Sequence, residues 1–95
     1  MDFLELIQDL EAEWDTGFFA KLRVNGFDLD GFKRVELLLL KLSHETESYP
    51  QRLVALTWFI PLFMSWQEAP NLEAQEYRNY CNRLEKLVME GLGMP

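Results

Sequence analysis

The most constraining feature of this chain is the run from Leu53 to Trp66, 14 residues interrupted only by Thr57, Pro61 and Ser65. A helix needs roughly 20 apolar residues to cross a bilayer, so this run is too short to span one. A soluble helix that is apolar nearly all round has to be enclosed by other helices. The run therefore predicts a hub helix inside an all-α bundle. Pro61 lacks a backbone donor and is expected to kink that helix, or to split it after Phe59 or Ile60.

The remaining sequence supplies helices to surround it. Phe3, Leu6, Ile7, Leu10 and Trp14 recur at steps of three and four, which predicts an amphipathic helix over residues 1–15. A shorter helix is expected over 16–24, with Phe18, Phe19 and Leu22 turned inward and Asn25-Gly26 as its stop. Asp28 or Asp30 can cap a third helix carrying Phe32, Val35, Leu38, Leu39 and Leu42. There Leu37 and Leu40 widen the stripe and predict neighbours on two sides. Residues 43–48 read as a loop by composition, with Ser48 capping the hub helix and Pro50 in its first turn. Asn71 is the expected cap of the last helix, which presents Tyr77, Tyr80, Cys81, Leu84, Leu87 and Val88 on one face and ends at Gly91. Residues 92–95 read as a frayed tail. The expectation is a compact bundle of four to five helices forming a single domain over 1–95.

Composition narrows the function. Apolar residues make up 48% of the chain, enough for one packed core and too many for a disordered tail. Sixteen acids against nine bases leave a net charge of −7. That balance opposes direct binding to nucleic acid, which needs Lys and Arg facing the phosphates, and it opposes an anionic membrane surface. Lys21, Arg23, Lys33 and Arg34 are the bases such a binder would have to use. The single cysteine, Cys81, excludes an internal disulfide and any multi-cysteine metal site. Asp2, Glu5 and Asp9 stand where a secretory signal would carry bases and a continuous apolar run, so a cytoplasmic location is expected.

Catalytic equipment is sparse. His44 is the only histidine, and position 41, where a di-iron bundle would carry Glu three residues before it, is Lys. Cys81 and His44 could act together as nucleophile and base, but no local signature accompanies them. Asp28 and Asp30 resemble the start of a calcium loop, yet the twelfth position counted from Asp28 is Leu39, where the loop needs Glu. Gly26 and Gly31 flank an acidic turn, unsuited to phosphate. The reading is of a non-enzyme without metal or cofactor.

The charge distribution is more informative. Residues 1–15 hold six acids (Asp2, Glu5, Asp9, Glu11, Glu13 and Asp15) and no base, whereas residues 16–44 hold five bases and three acids. Asp2, Glu5, Asp9 and Glu13 share one helical face, with Glu11 and Asp15 on the far shoulder. A solvated acidic face keeps a small protein soluble, and the same face can complement a basic cleft on a partner and speed encounter with it. Trp14, Trp58 and Trp66 are expected in the core. Tyr49, Tyr77 and Tyr80 could anchor an interface or pack half-buried with their hydroxyls reaching water.

The segment from Trp14 to Asp28, WDTGFFAKLRVNGFD, resembles the opening of small helical immunity proteins of bacterial toxin systems, among them those of contact-dependent growth inhibition. The block from Leu56 to Phe63, LTWFIPLF, is similar in character. The resemblance implies a cytoplasmic protein that carries no catalytic residues and neutralises one cognate toxin domain, in many cases a nuclease, by tight binding. On that reading the six N-terminal acids, Asp2, Glu5, Asp9, Glu11, Glu13 and Asp15, are the partner-binding residues, and the free protein is a monomer or weak dimer. The alternative is a helical regulatory or adaptor protein that binds a host protein through the same acidic face.

Overall fold

A computed structural model describes residues 3–24, 26–42 and 49–92. They form five helices: α1 (Leu4–Asp15), α2 (Phe18–Val24), α3 (Leu29–Leu39), α4 (Gln51–Trp66) and α5 (Ala74–Leu92). The expected stop at Asn25, the loop over residues 43–48, the Ser48 cap and tail residues 93–95 lie outside the described residues.

Four helices close a ring. α1 packs on α4, α4 on α5, α5 on α3, and α3 back on α1, while the short α2 plugs the end between α1 and α3. The radius of gyration is 12.9 Å, close to the roughly 13 Å of a compact chain of about 100 residues. One core fills the ring. Phe18, Phe19, Leu10, Leu53, Ile60, Met64 and Leu84 are fully buried there. Aromatic rings stack around its upper end: Trp14 lies flat on Phe19 at 4.0 Å between centroids, and Phe27 lies on Tyr80 at 4.5 Å. Ion pairs fasten neighbouring walls, Glu11 to Arg52 across α1–α4 and Glu36 to Arg83 across α3–α5.

The ring order corrects the expectation drawn from the apolar run. α4 is not a hub enclosed on all sides; it is one wall of the bundle. Leu53, Leu56, Thr57, Ile60, Phe63 and Met64 face inward, while Val54, Trp58, Phe59, Leu62 and Trp66 are exposed. Trp58 and Trp66 are therefore surface residues, and of the three tryptophans only Trp14 packs against the core. The helix also runs unbroken through Pro61, so it is not split. Proline's missing N–H leaves the Thr57 carbonyl without its usual backbone donor. The Thr57 hydroxyl turns back to the Leu53 carbonyl at 2.9 Å and is satisfied inside the core.

Several smaller expectations also change. Leu37 on α3 and Leu40 just after it are exposed, because α3 meets its neighbours through the opposite arc. Asp28 occupies the residue before α3 but makes no side-chain cap; its carboxylate lies 3.4 Å from Lys21 Nζ. Asn71 is used elsewhere than at the start of α5. Its carboxamide clasps the backbone of Phe27, accepting the N–H at 3.0 Å and donating to the carbonyl at 2.8 Å. That clasp holds the α2–α3 turn, where Gly26 takes a φ of 94° that favours glycine.

Candidate interaction surface

The six predicted acids separate once they are placed on α1. A step of four residues advances about 40° around a helix. Glu5, Asp9 and Glu13 thus form a spiral that starts on the solvent side and ends in the packed interface with α3. Glu13 lies at that end, buried at 7% exposure. Its Oε1 accepts the Phe18 backbone N–H at 2.9 Å, and its two oxygens take Arg34 through Nε at 2.9 Å and Nη2 at 3.2 Å. A carboxylate held this way is an internal brace: it satisfies the first donor of α2 and pins α1 to α3. The assignment of Glu13 to the partner-binding set is therefore corrected. Pairing with Glu13 also lifts the Arg34 pKa above its ordinary value.

Glycine makes room for the brace. A Cβ on Gly17 would run into the Glu13 carboxylate, so the side chain can fold over the next turn only because position 17 is bare. Periodicity alone placed Glu13 on the outward acidic face, and its Arg34 partner, 21 residues away, left no local signal.

Of the other acids, Glu11 is already paired with Arg52 at 2.8 Å. Asp2 lies outside the described residues. Glu5 and Asp15 are exposed and Asp9 is half-buried, and among the described residues none of the three has a basic group within ion-pair distance. The open negative surface of α1 thus consists of Glu5 and Asp9 on the shoulder toward α3 and Asp15 on the shoulder toward α4, with Glu11 beside it. Two of the four bases considered for nucleic acid binding are engaged by carboxylates, Lys21 by Asp28 and Arg34 by Glu13. Arg23 sits over the Phe63 ring at 5.6 Å.

A second surface feature was missed in the sequence. On α4, Val54, Trp58, Leu62 and Trp66 fall on one ridge at steps of four, with Phe59 beside it. No charged residue interrupts the chain between Leu53 and Gln67. The ridge borders α1 where Trp14 meets Phe59 at 5.7 Å and donates from its indole N–H to the Leu56 carbonyl at 3.1 Å.

Between the C-terminal half of α4 and α5 lies an open groove of about 670 Å³, lined in part by Pro61, Met64, Tyr77, Cys81 and Glu85. The Tyr77 hydroxyl donates to the Met64 carbonyl at 2.7 Å, which fixes the ring as a wall of the groove. Burial raises the Cys81 thiol above its ordinary pKa, so it is held as the weakly nucleophilic thiol near neutral pH. Its suggested partner His44 lies outside the described residues. Among the described residues, no group of three or more His, Cys, Asp and Glu side chains is placed to hold a metal ion, and no helix is long and apolar enough to cross a membrane. Comparison with protein-family profiles, curated proteins and solved structures finds nothing that matches the chain.

Proposed function

We propose that this chain is an immunity protein: a non-enzymatic inhibitor that neutralises a cognate bacterial toxin domain, a nuclease, by covering or flanking its basic active-site cleft. The observation that carries the reading is the unneutralised acid on α1. Glu5, Asp9 and Asp15 project from a rigid helix whose inner side is fastened by Glu13, in a chain of net charge −7. Fixed carboxylates complement a cleft built to hold phosphates. Such charges act mainly on encounter rate and partner choice, while a few desolvated contacts hold the complex. The resemblance around residues 14–28 points the same way. Cytoplasmic residence belongs to the same proposal, since the target would have to be met inside the cell.

The test uses the cognate toxin domain that this proposal requires, sought among the genes adjacent to this one. Glu5→Lys, Asp9→Lys and Asp15→Lys are combined, and association is measured against ionic strength. Wild type should associate quickly at low salt and slow steeply as salt rises, whereas the triple variant should associate at least about tenfold more slowly with a flattened salt response. An unchanged rate and salt slope would remove α1 from the interface. Glu13 is left intact, because its loss would unsettle the bundle and confuse the result.

A further inference from the structure

We infer that the outward ridge of α4 is the interface of a homodimer, in which a second copy of this chain packs its own α4 antiparallel against the first. A charge-free face on a protein carrying −7 demands an explanation in the folded state. Val54, Trp58, Phe59, Leu62 and Trp66 are 37%, 60%, 38%, 48% and 63% exposed. Given the area of such side chains, they leave roughly 500 Å² of apolar surface in one stripe, as large as the largest patch on a typical monomer.

The ridge is complementary to itself. Val54, Trp58, Leu62 and Trp66 are symmetric about Ile60. A two-fold axis at that level sets Trp58 beside Leu62 of the second copy and Val54 beside its Trp66, a large side chain against a smaller one at every level. Ridges at steps of four interdigitate when two helices cross at about 50°, the commonest helix-packing class.

Area fits a reversible dimer. Complete cover of both ridges would bury about 1,000 Å², and the flanking Gln51, Ala55 and Ser65 raise this toward the roughly 1,200 Å² where specific interfaces begin. High apolar content is the mark of homodimer interfaces, as against those of transient partners. Salt separates this surface from the acidic one: screening the repulsion between two chains of −7 should tighten the dimer and weaken docking on a basic partner.

The test is sedimentation equilibrium of the purified full chain, from about 1 to 200 μM, with no partner present. The weight-average mass should climb from 11.3 kDa toward twice that value, and more readily at high salt. Trp58→Asp combined with Leu62→Asp should stay monomeric throughout with an unchanged helical circular dichroism signal, because both residues are exposed. In a Cys81→Ser background, a mixture of Trp58→Cys and Leu62→Cys chains should form a disulfide-linked heterodimer faster than either chain alone. Three results would overturn the inference: a wild type that remains monomeric at the highest concentration and salt, a double variant that associates as wild type does, or Trp58→Cys alone cross-linking as fast as the mixture. A monomeric wild type whose hold on the toxin domain is lost in the double variant would instead give the ridge to that partner.

Discussion

Removing the Glu13 carboxylate probes the join of three helices at one point. In Glu13→Ala the Phe18 N–H loses its acceptor inside the protein, which costs about 1–3 kcal/mol for a buried donor. The Arg34 pair adds less, about 0.5–1 kcal/mol, because the guanidinium side chain is 49% exposed and water screens it. The total is about 1.5–4 kcal/mol, a large share of the roughly 5–15 kcal/mol that holds an ordinary domain together. In thermal unfolding followed by circular dichroism, a domain of this size should lose about 6–30 °C. Glu13→Gln keeps an oxygen for Phe18 and gives up only the charge, so it should lose about 1 kcal/mol. Working at low micromolar concentration keeps self-association out of the comparison. A Glu13→Ala variant within about 0.5 kcal/mol of wild type would refute the brace, and so would Gln and Ala variants that fall equally.

Other consequences are open to measurement. Asn71→Ala should destabilise by about 1–3 kcal/mol in urea unfolding, since it strips both backbone groups of Phe27 of their partner; a neutral result would show that water replaces the clasp. Gly17→Ala should destabilise the fold, because the new Cβ meets the Glu13 carboxylate in the turn between α1 and α2; a more stable variant would contradict that packing. Stability should also fall in alkali. Burial, with neighbouring Cys81, raises the Tyr77 hydroxyl above its ordinary 10.0, and burial raises the Cys81 thiol above 9.0. The unfolded chain then releases these protons at lower pH than the folded one, so stability is full below about pH 9 and declines as pH rises through 9 and 10. Tyr77→Phe combined with Cys81→Ala should flatten that decline, and an unaltered slope would place its origin elsewhere.

Sequence spacing located the helices well because each has at least one continuous apolar stripe at steps of three and four. The inner residues of α3 and α5, such as Val35, Leu39, Leu84 and Val88, are buried as that spacing requires. What it could not supply was the depth of each helix in the fold. A helix apolar on every side satisfies periodicity equally as a hub or as a wall, and only the ring order showed that α4 turns Trp58 and Trp66 outward. Leu37 and Leu40 misled for the same reason. The acids of α1 show a second limit. Positions 5, 9 and 13 read as one face, yet the 40° advance at each step carries the last of them from solvent into a buried contact. Asn71 had no local signal at all, since its partner lies 44 residues away and meets it only after the chain has folded.

The proposed inhibition is tested most directly by titrating the nuclease toxin domain that the proposal requires with this chain while hydrolysis of nucleic acid is followed. If the proposal holds, activity should fall linearly and vanish near one equivalent, as tight stoichiometric occlusion requires. Full activity in the presence of a large molar excess would contradict the central claim.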